Sequence, residues 1–392
     1  MNSLLIKNAS VVTENTVQFG CSVYCENGTI LEICSEPQTI TANEVINADG
    51  MLLCPGFIDL HIHGIRGVIA ESGRGQLEII CRELPRYGVT GFLPAICPTK
   101  SGVDDIALLE DLSKVKSGGA EMLGFFLEGH YLALTGAISR IPRIMEKDHV
   151  KRLIEAAIPY KTVFAVSPEI GGVTKLLPTM TASGYPAFIT HTAATAAQTQ
   201  AAVQAGAIHA THFYNVFPYS GDREPGVRGC GAVEAILANP DVSVDFILDG
   251  EHIDPITVKM ALACKSRDKV CLITDANVSA GLPPGRYTGL GGSEIESVYE
   301  GGPARLVGGP LQGGLAGSGL TMDKAMKNAV QMLDVSVPQA AAMVSSNPAS
   351  VLGMKNKGKI AAGCDADFVL VDDEYNVMQT WVGGKTVFVK ER

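Results

Sequence analysis

The sequence predicts an α/β fold: a (β/α)8 TIM barrel carrying a small β-sandwich domain formed from both chain termini. Three observations carry this expectation. Eight short apolar runs alternate with helix-like stretches through the middle of the chain. Both ends are β-rich and each is too small to fold alone. Polar residues able to bind metal or move protons recur just after the apolar runs.

The terminal elements come first. Residues 3–12, 21–34 and 44–57 alternate apolar runs with turn signals, and Glu26-Asn27-Gly28 is a hairpin signal. The last stretch, from Lys357 onward, repeats the pattern. The expected division is 1–53 and 346–392 for the sheet domain and 54–345 for the barrel.

The barrel strands are expected at 53–61, 89–94, 122–128, 162–166, 187–191, 208–212, 244–249 and 270–275. Most are continuous apolar runs, as parallel strands buried on both faces require. Helices are expected between them, at 146–157, at the Ala-rich 194–206, and at 255–265, where Asp254 caps and Pro255 opens the first turn. Eight such units favour a closed barrel over an open doubly wound sheet. The Gly-rich stretch of the 280s to 310s reads as an inserted hairpin and loop after the eighth strand, on the side where barrels build their sites.

Composition narrows the function. The 392 residues are 46% hydrophobic and 18% charged, enough for a large core and free of disorder signals. A net charge of −10 argues against nucleic acid or an anionic membrane as partner, while leaving room for a small anionic substrate. The start MNSLLIKNASVV lacks the form of a signal peptide, and no run of about 18 apolar residues suggests a membrane span. A cytoplasmic protein is expected. The ten Cys are scattered, with no CxxC pair, and read as mostly reduced, buried, small apolar residues rather than a zinc knuckle.

Asp59-Leu60-His61-Ile62-His63-Gly64 is the strongest local signal. Two His at i and i+2 of a strand point to one side, and at a barrel mouth they can converge on a divalent metal. Glu128, His191, His212 and Asp275 each end a later apolar run. Taken singly, each could be a hydrogen-bonded core group. Together, on one face of one barrel, they predict a metal site at the mouth. Such a site can activate water without a Ser or Cys nucleophile: the metal lowers the pKa of water to about 7, and a carboxylate moves the proton. Ser318, in Ala-Gly-Ser-Gly, reads as part of a tight turn.

The pattern of an HxH pair, a carboxylate, two further His and a final Asp resembles the amidohydrolase superfamily. Within it, several motifs resemble the N-acetylglucosamine-6-phosphate deacetylase family. They are Glu128-Gly129, Thr211-His212-Phe213-Tyr214-Asn215, Arg223-Glu224-Pro225-Gly226, Asp249-Gly250-Glu251-His252, Thr274-Asp275-Ala276 and Leu315-Ala316-Gly317-Ser318. Asn347-Pro348-Ala349, Gly358-Lys359-Ile360 and Ala366-Asp367 resemble the common amidohydrolase ending.

The resemblance implies His61, His63, Glu128, His191 and His212 as metal ligands, with Glu128 bridging two ions where both sites are filled. Some members lack the HxH pair and use one ion; this chain keeps it. Asp275 is implied as the catalytic acid/base and a further possible ligand. Asn215, Arg223 and His252 match positions that hold the sugar phosphate, and Val216 and Leu315 are expected beside the substrate. The family's Arg reaches in from a neighbouring subunit, so Arg223 implies a homodimer. One or two ions of Zn, Fe, Mn or Co would suit the donors. The implied reaction converts N-acetylglucosamine 6-phosphate to glucosamine 6-phosphate and acetate. N-acetylgalactosamine 6-phosphate or another N-acyl or cyclic amide is the alternative, and a non-enzymatic binding relative is a third reading, weakened because all six candidate residues are kept.

Two departures touch the substrate side. The family has Glu-Gly-Pro-aromatic where this chain has Glu128-Gly129-His130-Tyr131. His130 is expected to contact substrate, with a surface His as the alternative. The family's Gly-Ala-His is replaced by Gly136-Ala137-Ile138.

Overall fold

The computed structural model describes residues 2–35, 41–98, 104–137 and 144–391; Ile138 lies outside them. Eight parallel strands form the barrel: Phe57–Ile62, Val89–Ile96, Phe125–Tyr131, Thr162–Val166, Phe188–Ile189, His209–Ala210, Ser243–Ile247 and Val270–Ile273. They are referred to below as strands one to eight. Each pairs with the next in chain order. Glu121–Met122 is a separate short segment on strand two that leads into strand three. The expected strands are all present, and their residues are almost uniformly buried, which explains why they read as unbroken apolar runs.

Closure joins the last strand to the first. The Asp275 N–H donates to the His61 carbonyl at 2.9 Å, and Ile62 bridges Ala276. The fully buried Asp59 carboxylate fastens the seam, accepting from the backbone N–H and the hydroxyl of Thr274 at 3.2 and 2.5 Å. Strands five and six are shorter than the apolar runs suggest. The chain leaves their ladders just before His191 and His212, which take left-handed φ values of 49° and 32°.

Helices form as the capping signals indicate. Ala196–Gln204 begins with a capping box between Thr195 and Gln198. Pro255–Cys264 begins with Asp254 accepting from the Ile256 N–H at 2.9 Å. Lys147–Ala157 buries Val150 and Leu153 against the barrel. The Gly-rich insertion differs from the expected hairpin. It is a three-stranded antiparallel sheet of Gly285–Thr288, Glu294–Ser297 and Arg305–Leu306, folded over Val278, Ile295 and Ala304. The third strand escaped notice because two residues carry no readable period.

Both termini build the second layer. Ser3–Val12, Val17–Glu26, Thr29–Cys34, Glu44–Asn47 and Leu52–Pro55 join Phe368–Val371, Val377–Val382 and Lys385–Val389 in one sheet around a separate apolar core. The Asn27-Gly28 turn has φ of 49° and 85°, the left-handed pair that a two-residue hairpin needs. Helix Ser346–Val351 ends the barrel side: the Asn347 amide donates to the Arg267 and Val270 carbonyls at 2.8 and 2.7 Å, at the base of strand eight. No helix among the described residues is long and apolar enough to cross a membrane.

Lys357 ties the layers together. Its ammonium lies 2.8 Å from Glu121 on the barrel and 3.0 and 2.9 Å from Asp365 and Asp367 on the sheet side. Substituting Lys357→Ala leaves the buried Asp367 carboxylate without its cation and is expected to cost about 3 kcal/mol. A clear fall in thermal midpoint by calorimetry checks it; an unchanged midpoint refutes the role.

Candidate metal centre

The carboxylate of Glu128 ends the apolar part of strand three and is 2% exposed. Four imidazoles face it. Its Oε2 lies 3.3 Å from His61 Nε2 and 3.2 Å from His63 Nε2; its Oε1 lies 3.3 Å from His191 Nε2 and 3.4 Å from His212 Nε2. The Asp275 carboxylate closes the first side, with Oδ1 at 3.5 and 3.3 Å from the same nitrogens of His61 and His63. Each donor stands at a strand end of the mouth, so the expected convergence is present for all six.

The network behind the ligands sets which ring nitrogen faces in. Thr211 donates its hydroxyl to Asp245 Oδ1 at 3.0 Å and so accepts from His61 Nδ1 at 3.4 Å. His191 Nδ1 meets the Leu134 carbonyl at 2.9 Å, and His212 Nδ1 meets the Asn215 carbonyl at 3.2 Å. In each case the N–H points away and Nε2 keeps its lone pair inward. Asp245, fully buried, also accepts the His212 N–H at 2.5 Å and faces His209 Nε2 at 2.8 Å. Backbone strain adds to the placement: Asp275 and Val216 have φ of 46° and 59°, a region that a β-branched residue rarely enters.

These residues fit a divalent metal. Donors about 2.0–2.1 Å from a tetrahedral ion stand about 3.3 Å apart, which matches the 3.2–3.5 Å spacing here. His61 Nε2 and His63 Nε2 are 3.2 Å apart, and the buried Glu128 Oε2 and Asp275 Oδ1 have no hydrogen-bond partner. A cation between them satisfies all four atoms. The two oxygens of Glu128 divide the donors into two sets, His61, His63 and Asp275 against His191 and His212.

Charge is already balanced toward such an ion. Burial raises the Glu128 carboxyl, but His61, then His191 and His212, hold it well below the usual range. Burial likewise opposes ionisation of Asp275, and His61 and His63 more than offset it, taking it down to about 2. Burial lowers His212, yet Glu128 and Asp275 raise it to about 9. His191 is lowered, chiefly by burial.

A cavity of about 720 Å³ opens over this cluster. Asn215, Val216, His252 and Leu315 line it, as expected. His252 is held by Asp249, Nδ1 to Oδ2 at 2.6 Å, and its carbonyl accepts from the Asn215 amide at 2.8 Å. One expected contact, His130, falls elsewhere. His130 does not line this cavity: it is 5% exposed and its Nε2 lies 2.9 Å from Asp105 Oδ2, against helix Asp104–Leu112. Simple alternation would place His130 on the same side as Glu128. The ladder is irregular between Leu127 and Tyr131, with Gly129 at φ 157°, and that break turns His130 away. Arg223 is exposed on the loop closed by the Glu224–Val227 bridge and does not line the cavity of its own chain.

Sequence reading missed Glu71, Cys97 and Asn277, which also line the cavity. It missed Asp245 as the anchor of His212 as well. Asp245 lay inside an expected strand and was the signal available: a carboxylate within an apolar run needs a buried partner. Ser318 is a backbone brace, as expected for a turn residue. Its hydroxyl donates to the Thr274 carbonyl and its N–H to the Asp275 carbonyl at 2.8 Å. At Gly317, with φ of 71°, a Cβ would meet the Asp275 carbonyl oxygen at 2.8 Å, so the brace needs glycine.

The Amidohydrolase family model matches residues 52–387. An N-acetylgalactosamine-6-phosphate deacetylase of Escherichia coli O157:H7 is 32% identical over 357 residues, spanning 89% of this chain and 90% of that protein. An N-acetylglucosamine-6-phosphate deacetylase of Bacillus subtilis (strain 168) is 31% identical over 403 residues, spanning 99% and 98%. Among solved structures, a mutant N-acetyl-D-glucosamine-6-phosphate deacetylase of Mycobacterium smegmatis, in complex with N-acetyl-D-glucosamine-6-phosphate, superposes with a TM-score of 0.85 at 25% identity, over 99% of this chain and 100% of that one.

Two measurements check the centre. Asp245→Ala frees His212 and is expected to weaken zinc binding about 10- to 100-fold in chelator competition; unchanged affinity removes Asp245 from the site. His212 must lose its proton to bind metal, so apparent affinity should rise with pH up to about 9. Zinc loading at neutral pH should release protons into a weakly buffered solution, and a pH-independent affinity contradicts this.

Proposed function

The chain belongs to the amidohydrolase family, and from that premise we propose that it removes the N-acetyl group of N-acetylglucosamine 6-phosphate, giving glucosamine 6-phosphate and acetate. It is a hydrolase of non-peptide carbon–nitrogen bonds. The observation that carries the reading is the Glu128 carboxylate between four inward imidazoles, with ionised Asp275 beside them at the floor of the cavity.

When bound, a divalent cation supplies Lewis acidity, making water nucleophilic at neutral pH and polarising the acetyl carbonyl. The rest is the work of this chain's residues. His61, His63, Glu128, His191 and His212 hold the ion or ions; zinc, iron, manganese and cobalt all suit such donors. Asp275 is ionised at neutral pH and takes the proton of the attacking water. It returns that proton to the sugar nitrogen as the carbon–nitrogen bond breaks, and the remaining water proton passes from the acetic acid to the amine or solvent, so acetate leaves. Val216 and Leu315 present apolar surface that excludes bulk water from the floor. Asn215 and His252 orient the sugar, with Asp249 fixing the His252 ring.

The phosphate end calls for a cation. Arg223 stands outside its own cavity, beside exposed Tyr219 and Val227. We therefore place Arg223 in the cavity of a second subunit, in a homodimer, where its guanidinium pairs with the phosphate dianion. A cytoplasmic setting suits a phosphorylated sugar. N-acetylgalactosamine 6-phosphate is the second reading, favoured by the likeness to the Escherichia coli deacetylase.

The deciding measurement is kcat/KM for amine release from the two N-acetylhexosamine 6-phosphates and their plain sugars, with zinc-, manganese- or iron-loaded protein. A strong preference for N-acetylglucosamine 6-phosphate supports the leading reading; preference for the galacto sugar selects the second. Asp275→Asn should abolish turnover while metal content is largely retained, and near-normal activity rejects its role. Arg223→Ala should raise KM mainly for phosphorylated substrates; an equal effect on plain sugars rejects the phosphate assignment.

A further inference from the structure

Strand pairing brings a sulfur into the donor cluster. Leu127 on strand three pairs with Ile96 on strand two, so the next residues, Glu128 and Cys97, lie side by side. Ile62 on strand one pairs with Pro94 on the other edge of strand two, which brings His63 to the same corner. The ligand atoms of His63, Cys97 and Glu128 all lie within 4.8 Å of one another. Cys97 is buried, and its backbone is anchored: the N–H donates to Glu71 Oε1 at 2.6 Å, and Pro98 restricts it to extended conformations.

Two further observations point to a ligand at this corner. Glu128 Oε2, on the side facing His63, is buried without a hydrogen-bond partner. His63 Nε2 faces that same oxygen at 3.2 Å, and the His63 ring interacts directly with the Cys97 thiol. The corner thus holds a thiol, a carboxylate oxygen and an imidazole with more donor capacity than the protein itself satisfies.

We propose that Cys97 supplies a thiolate donor, with His63 and Glu128, to the cation at the HxH end of the centre. The inference rests on the metal-dependent reading above and extends it to the ligand set. Coordination releases the thiol proton to solvent and forms one sulfur–metal bond; nothing is oxidised or reduced. A soft donor biases that position toward zinc or cobalt and away from manganese, while the His191–His212 position lacks such a bias.

Cobalt(II) reports on sulfur ligation directly, without substrate. The full-length protein, stripped of metal and reloaded with cobalt, should show a near-ultraviolet thiolate-to-cobalt charge-transfer band. Cys97→Ser should lose the band and bind one equivalent of cobalt at least about tenfold more weakly in chelator competition, with circular dichroism confirming the fold. Cobalt bound without the band in the unsubstituted protein overturns the proposal and leaves the deacetylase reading intact, and needs no variant. A band that survives in Cys97→Ser also overturns it. A folded protein that binds no cobalt overturns the metal-dependent reading itself.

Discussion

One buried carboxylate organises this molecule's chemistry. Glu128 is almost without solvent, and an isolated charge there would be prohibitively costly. It is tolerated because four imidazoles share its field. Its two oxygens face two separate donor sets, His61 and His63 on one side and His191 and His212 on the other. The barrel makes this possible by delivering strands one, three, five, six and eight to a common mouth, where each chain stops pairing and turns.

That stopping is costly to the backbone. His191, His212, Val216 and Asp275 all carry left-handed φ values, and each such residue stores of the order of 1–3 kcal/mol. The surroundings hold them there. Asp245 grips the His212 N–H, Leu134 takes the His191 ring N–H, and Ser318 pins both Thr274 and Asp275. Asp59 performs the same office at the seam, joining strand one to strand eight beneath the HxH pair. Mutations in this supporting layer should therefore register as loss of metal affinity rather than as loss of fold.

The cavity wall is built from different parts. The insertion sheet, through Leu306 and Leu315, and the loop carrying Asn215 and Val216 supply an apolar wall with few polar contacts. His130, the conspicuous departure from the deacetylase pattern, is diverted into a buried pair with Asp105. It packs behind Glu128 and does not line the cavity.

Much of this was legible in the sequence. Apolar runs of parallel strands are self-announcing, because burial on both faces leaves no polar alternation. The six candidate donors were readable because each stands at or directly after such a run, and the C-terminal strand ends of a barrel gather at its mouth. Caps at Thr195 and Asp254, and the Asn27-Gly28 hairpin, are local and were equally readable. The tertiary structure alone decided what depends on registry between distant strands. The irregular ladder at Gly129 turned His130 away, pairing of Ile96 with Leu127 set Cys97 beside Glu128, and Asp245 met His212 from the adjacent strand. Sequence spacing fixes which residues end a strand; only strand-to-strand hydrogen bonding fixes which of them become neighbours.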